Sequence, residues 1–325
     1  MHKAEYNKPR TFIGDGLKTT NCDQPTIRLV VPPEDEGRPL RDIVIATLVG
    51  ELDADLLVAR GGLWVDGARM RDPHALAYTG AQVAIHRPLA GVYPTVELSL
   101  TDILYEDADL LAYNKPPGVY VDATPWDAEG NLHAALLQLL ARRDGAPRKL
   151  HLAHRLDRDT TGVLLVTKNP AINPAIQRAF LAGVVHKEYV CLCAGVPPDD
   201  EFEVLTGHGR SAHGLFRVYP AEEIGRVLLN GSRVKSMHTR FRVERRLAGV
   251  ALVRAFPLTG RTHQIRLHLA HLGYPIVGDT RYCGPDVWNG APVPFHRLHA
   301  ARLTLPHPGT GDPLTLAAPL PAWAH

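Results

Sequence analysis

The sequence predicts an α+β protein: a mixed, largely antiparallel sheet with flanking helices, preceded by a small α+β module. Three observations carry that expectation. Short apolar runs of strand character outnumber helical runs and mostly follow one another, whereas parallel-sheet units would alternate with helices. A Pro- and Gly-rich stretch, Arg87–Thr95, separates two textures of chain. The composition, 45% hydrophobic and 22% charged over 325 residues, is that of a folded chain long enough for two domains.

Residues 1–33 hold no sustained periodicity and contain Pro, Gly and Asn, so they read as an irregular arm. Residues 34–90 form the small module. Leu40, Ile43, Val44 and Leu48 recur at helical spacing, DADLLVAR is a second helical stretch, and GLWVDGARM and AQVAIHRP are short strands around Gly and Asp turns. Residues 91–325 form the large domain. ILYEDADLLAYNKP reads as two strands about a turn, GVLLVTKN as a buried strand, INPAIQRAFLAG as a helix and KEYVCLCAGV as a strand. MHTRFRVERRLAGVALVRAFPL reads as a hairpin with Leu247, Ala248 and Gly249 at its tip, and THQIRLHLAHLG as a helix stopped by Gly273. There is no internal repeat and no long low-complexity tract.

The formal net charge is +2, which on its face argues against a polyanionic partner. The average conceals two opposed segments: Val31–Leu110 carries 14 acids and 6 bases, and Leu205–Ala270 carries 12 bases and 3 acids. Such asymmetry marks either one part of the chain that binds nucleic acid or two solvated faces of opposite sign. Cys22, Cys191, Cys193 and Cys283 form no dense framework, which fits reduced thiols. Strand alternation in EYVCLCAGV places Cys191 and Cys193 on one face as small buried hydrophobes. No apolar run approaches the ~18 residues of a membrane span, and the polar start MHKAEYNKPRTF does not read as a secretory signal, so a cytoplasmic protein is expected.

Two polar clusters could carry chemistry. In HLAHRLDRDTTGVLLVTKN a loop rich in ionisable groups runs into an apolar strand, which would fix the geometry of what the loop presents. Asp157, flanked by Arg155 and Arg158, would be held as a carboxylate able to act as nucleophile, base or ligand. A turn Asp satisfying its own backbone is the alternative. In PLTGRTHQIRLHLAHLGYPIVGDTRY, Arg261 and His263 stand at a helix start and Arg266 lies about one turn beyond, so His263 and Arg266 can face one ligand. The 17 His include no H-E-x-x-H and no Cys pair at finger spacing, so no catalytic metal is expected. Absence of G-x-x-x-x-G-K-[ST] and G-x-G-x-x-G argues against a nucleotide cofactor.

His154-Arg155-Leu156-Asp157 with Thr160-Thr161-Gly162 resembles the active-site motif of the pseudouridine synthases of the large-subunit ribosomal RNA type, usually H-R-L-D-x-x-T-S-G, with Thr161 in place of Ser. Further blocks agree in order: Asn114-Lys115-Pro116-Pro117-Gly118, Lys187-Glu188-Tyr189, Gly260 to Arg266 running on to Gly278-Asp279, and Leu298-His299-Ala300 with His307-Pro308. The resemblance spans Leu100 to Pro321. It implies isomerisation of uridine to pseudouridine within RNA, ribosomal or transfer: the bond from ribose C1′ to uracil N1 breaks, the base turns, and C5 joins C1′. No cofactor or metal is implied, and nothing demands more than a monomer. By position Asp157 would be the essential carboxylate, acting either by covalent attack or by proton removal toward a glycal.

The target base must leave its stack, at about a few kcal/mol. Arg155 would enter the vacated space or hold the phosphate. Tyr189 would lie against the uracil ring and near the proton lost from C5. Ile265 would form an apolar wall, and Arg266 would pair with Asp157, with Arg261 as the alternative partner. Asn114 and Lys115 read as scaffold. The basic side from Arg210 to Arg266, including Arg240, Arg242 and Arg245, is expected to meet RNA. The leading module resembles the S-four-like RNA-binding module, with Asp66 in place of Asn and Ala81 in place of an acidic residue after Gly80. Its acidic character implies reduced affinity for RNA.

Overall fold

The computed structural model describes residues 26–48, 53–88, 91–211 and 215–325. They fold into two compact units, one holding 26–98 and 119–147 and the other 99–118 and 148–325. Among the described residues no helix is long and apolar enough to cross a membrane.

The first unit contains β1 (Thr26–Val30), α1 (Leu40–Leu48), α2 (Ala54–Arg60), β2 (Leu63–Val65), β3 (Ala68–Met70), β4 (Gln82–His86) and α3 (Leu132–Asp144). Its strands run β1-β4-β2-β3, every pair antiparallel. Leu40, Ile43, Val44 and Leu48 are all buried in one cluster with Leu57, Leu63 and Ile85, as their helical spacing requires. Asp53 caps α2 by accepting from the N–H of Asp55 and Leu56, and Gly61 ends it at φ 82°. Asp66 (φ 48°) and Gly67 (φ 77°) turn β2 into β3 with the left-handed pair that a two-residue hairpin needs. The Asp66 carboxylate also accepts from the Gln82 N–H at 2.9 Å.

Two boundaries differ from the sequence expectation. Thr26–Val30 lies in the segment read as an arm, yet it is a strand: β4 supplies its ladder, and Ile27 and Leu29 alternate onto the core. Residues 1–25 of that arm, with Cys22, lie outside the described residues. Residues 119–147, expected in the large domain, belong to the unit of the leading module. Trp64 donates to the Pro125 carbonyl at 2.8 Å, Arg69 to Thr124 at 2.6 Å, and Arg60 pairs with the buried Asp127. Arg38, Arg41 and Arg71 are likewise paired, with Asp35, Asp55 and Glu129.

The second unit begins with β5 (Ile103–Glu106), β6 (Leu110–Lys115), β7 (His151–Leu152) and β8 (Thr161–Thr167). Helix α4 (Asn173–Leu181), β9 (His186–Ala194), β10 (Glu201–Arg210), β11 (Phe216–Tyr219), β12 (Lys235–Leu247) and β13 (Val250–Pro257) follow. Then come α5 (Gln264–His271), the small ribbon β14 (Val287–Trp288) and β15 (Ala291–Pro292), β16 (Leu298–Pro306) and β17 (Pro313–Ala317). The large sheet runs β11-β10-β12-β13-β9-β16-β8-β6-β5, with β17 on β16 and β7 on β8. Among the described strands of this sheet only β16 and β8 pair in parallel, so the sheet is mixed and largely antiparallel.

The two sheet faces are covered differently. Cys191, Cys193, Phe241, Val253 and Ala255 pack with Ile265 and Leu269 of α5, while Val190 and Leu252 pack with Ala324 and the partly buried Trp323. Burial pushes the Cys193 thiol up to about 12 and that of Cys191 well above its ordinary value, so both stay protonated. The β12–β13 hairpin turns at the predicted tip, with a bulge between Val243 and Arg245. Its arginines do not face α5. Thr239 and Phe241 do, so Arg240 and Arg242 project from the opposite face.

Candidate active site

The loop carrying Asp157 is fixed from three sides. Its turn closes through the Thr160 N–H donating to the Asp157 carbonyl at 3.2 Å. The buried Lys115 ammonium donates to the carbonyls of Pro116 (2.9 Å), Arg158 (2.6 Å) and Thr160 (3.1 Å). Burial pulls that ammonium down to about 7, against the opposing charges of Asp159 and Asp157. Thr160 Oγ1 pairs with His296 at 2.9 Å and Thr161 Oγ1 with His299 at 2.8 Å. The chain then enters β8 through Gly162, whose φ is 102°, and any Cβ there would sit 2.2 Å from the Ala300 carbonyl. Only glycine permits that approach, and the parallel contact of β8 with β16 depends on it.

The same register brings Tyr189 to the loop. Ala300 lies between Gly162 of β8 and Tyr189 of β9, so the ring stands two strands from the start of β8. Tyr189 packs against the cluster containing Ile265, which is 5% exposed. Burial drives the Tyr189 hydroxyl well above its ordinary range, and the charge of Asp157 raises it further. At neutral pH it is a neutral donor and a flat apolar surface.

Helix α5 supplies the cation. Its first residue, Gln264, ties the preceding turn to the sheet: the side-chain oxygen accepts from the Arg261 N–H (3.0 Å) and Thr259 Oγ1 (2.7 Å). The amide nitrogen donates to the His238 carbonyl (2.8 Å) and Thr239 Oγ1 (2.9 Å). One turn on, fully buried His268 sits between Thr206 and Thr239, and burial takes it down to about 3. Arg266 is thereby held with 8% of its side chain exposed. Its Nε and Nη2 make a two-pronged pair with Asp279 at 2.6 and 2.8 Å, and Nη1 donates to Asp157 Oδ2 at 2.9 Å.

Asp157 keeps 24% of its side chain exposed. Burial raises its pKa, but His263, the charge and hydrogen bond of Arg266, and His296 together bring it below the usual carboxylate range. Burial takes His263 down to about 4 and His296 to about 3. Both are therefore neutral at pH 7, and Arg266 is the charge that keeps Asp157 ionised there. Oδ1 faces His263 Nε2 at 3.9 Å, beyond hydrogen-bond reach. An ionised carboxylate with one oxygen held and the other open, beside a phenol ring and an apolar wall, can attack an electrophilic carbon or take a proton.

The predicted residues separate clearly. Asp157, Tyr189, Ile265 and Arg266 surround one site. Arg155 is exposed beside it and has no ion-pair partner among the described residues. Arg261, the alternative partner for Asp157, is turned away, donating from Nε to the Ser236 carbonyl at 3.0 Å. Local charge also misleads: Arg158, expected to hold Asp157, pairs with Asp159 at 2.7 Å, and the cation that does so is 109 residues distant. His154 accepts from the Leu165 N–H at 3.1 Å and packs on Phe180, which makes it part of the scaffold. Sequence assigns no role to Asp279, His296 or Tyr282, although Asp279 and Tyr282 close the second polar cluster and Asp279 also ends a block of the resemblance. Among the described residues no group of His, Cys, Asp or Glu is arranged to hold a metal ion.

The family model described as RNA pseudouridylate synthase matches residues 109–271. RNA pseudouridine synthase 1 of Arabidopsis thaliana is 42% identical over 259 residues, covering 70% of this chain and 77% of that protein. Ribosomal large subunit pseudouridine synthase C of Yersinia pestis is 32% identical over 319 residues, covering 94% of both chains. Among solved structures, human RNA pseudouridylate synthase domain containing 4 superposes with a TM-score of 0.54 at 26% identity, over 69% of this chain and 90% of that one. A family match across the sheet that carries Asp157, a relative alike over nearly the whole length and a shared fold lead to one conclusion: this chain belongs to the RNA pseudouridylate synthase family and is an RNA pseudouridine synthase.

Proposed function

We propose that the chain isomerises uridines of ribosomal RNA, with Asp157 as the reacting carboxylate and no cofactor. The observation that carries this reading is the carboxylate itself, partly exposed, anchored through Oδ2 by a buried Arg266 and open at Oδ1. Covalent attack and the glycal route both demand those properties: the group must be ionised, and one oxygen must be free to meet the nucleotide. Tyr189 and Ile265 supply a ring and a wall for a base turned out of its stack, where stacking contributes about 1–3 kcal/mol. Exposed, unpaired Arg155 would hold the backbone or fill the gap left by the base. The names of full-length relatives support ribosomal RNA as the substrate, with transfer RNA as the alternative. A monomer working in the cytoplasm completes the proposal. Pseudouridine maps of total RNA from cells with and without the gene test it: loss of signal confined to ribosomal RNA is the expected result, and loss only in transfer RNA would reassign the substrate.

The same geometry supports the Tyr189 side of the sheet as the one that meets RNA. Arg240 and Arg242 project from the face opposite Tyr189, and Arg240 is paired with Glu203, so the Arg-rich hairpin contributes little to substrate binding. Arg155→Ala is expected to weaken RNA affinity and lower the slope of log K against log salt by about 1. Replacing Arg240 and Arg242 together is expected to leave both quantities unchanged in binding titrations at several salt concentrations.

A further inference from the structure

His263 occupies an unusual backbone position and uses it for something other than the helix. Its φ is 58°, in the left-handed region that non-glycine residues rarely enter. It is the N-cap of α5, where Ser, Thr, Asp or Asn would satisfy a free helix N–H, yet its side chain caps nothing. Such a conformation persists where the surroundings over-determine it, commonly at functional sites. Here the ring is turned toward Asp157, with Nε2 3.9 Å from Oδ1, the oxygen that Arg266 leaves open. On its other side Nδ1 lies 2.7 Å from the Tyr282 hydroxyl. Edge contacts from Tyr282 and Phe216 hold the ring plane, and the Arg266 guanidinium lies over the Tyr282 ring at 5.1 Å.

The proton on this imidazole can be placed by elementary chemistry. Burial keeps His263 neutral at pH 7, so one ring nitrogen carries a proton and the other accepts. A carboxylate facing Nε2 favours the proton there, and the Tyr282 hydroxyl then donates to Nδ1. The charged and titratable groups around the pair are Asp157, Arg266, Asp279 and Arg281, with Lys115 from β6, His208 from β10, His296 from the segment before β16, Tyr189 from β9 and Tyr282. We propose that His263, its tautomer fixed by Tyr282, is a positioning residue that presents Nε2–H to Oδ1 and so aims the one oxygen of Asp157 that reacts. Nε2 stands 3.9 Å from Oδ1, and catalytic hydrogen bonds of this kind tighten when substrate is bound.

The inference rests on Asp157 being the reacting carboxylate, and the test separates the two. Single-turnover tritium release from C5-labelled uridine RNA is measured across acidic and neutral pH for wild type, Tyr282→Phe, His263→Gln, His263→Ala and Asp157→Asn, with thermal melting of each. Tyr282→Phe keeps the ring beneath Arg266 and removes only the hydroxyl. It is expected to lower the single-turnover rate about tenfold, the low end for loss of an orienting partner, while the RNA concentration for half-maximal rate stays unchanged. Its acid limb is expected to move to higher pH, because Oδ1 loses a dipole that favours its charged form. His263→Gln, which retains an N–H, is expected to be more active than His263→Ala. Wild-type rate and acid limb in Tyr282→Phe, or a change in half-saturation alone, would overturn the proposal. If Asp157→Asn is inactive and those results are found, the His263 inference alone fails; if Asp157→Asn is active, the reading of Asp157 fails with it.

Discussion

Asp157→Asn is expected to abolish pseudouridine formation, lowering the rate by about 10⁴-fold or more, the upper range for loss of a group that must attack or move a proton. The amide is the same size, and its oxygen can still accept from Arg266 Nη1. Arg266 also remains neutralised by Asp279. The cost to stability is therefore expected to stay below about 2 kcal/mol, and binding of unmodified RNA should persist. Melting and RNA titration of the purified variant check both. A rate loss accompanied by a collapsed melting transition would show that Asp157 serves chiefly as a structural partner of Arg266.

Asp279→Ala is expected to produce the largest loss of stability among single changes around the site. Its carboxylate is 2% exposed and takes two of the three hydrogen bonds that Arg266 makes to acidic side chains. Removing one partner of a buried pair leaves an under-compensated charge and costs about 3–5 kcal/mol. For a chain of this size that corresponds to a melting shift on the order of 10 °C. The activity should change in a definite direction. His263 and the Arg266 held against it bring Asp157 below the usual carboxylate range, so a loosened Arg266 lets that pKa rise. Activity in mildly acidic solution is lost first, and the acid limb of the rate profile moves up. Asp279→Asn, which keeps the shape and one acceptor, should lie between wild type and Asp279→Ala in both melting and acid limb.

What could be read from sequence was what is local. The strands around Val163–Val166 and Cys191–Cys193, the α1 stripe of Leu40, Ile43, Val44 and Leu48, and the β12–β13 hairpin each announce themselves within a dozen residues. The Asp157 motif is equally local, so the candidate carboxylate is legible in the sequence. Its electrostatics are not. Arg158 is the neighbour in sequence but spends its charge on Asp159, whereas Arg266 reaches Asp157 only because α5 packs on β12 and β13. Tyr282 and His296 are single residues in irregular segments, and no periodicity marks them. Thr26–Val30 was missed because a five-residue edge strand carries only two inward apolar positions. The return of 119–147 to the first unit is a contact between distant segments, and the apolar spacing that makes α3 a helix does not say what it packs against.

The central claim is that the carboxylate of Asp157, kept ionised by Arg266, performs the isomerisation. Its most direct test is tritium release from C5-labelled uridine in ribosomal RNA, comparing purified wild type with Asp157→Asn under single-turnover conditions. Release by the wild type and none above background by the variant, with equal RNA binding by both, is the predicted result. Substantial release by Asp157→Asn would contradict it.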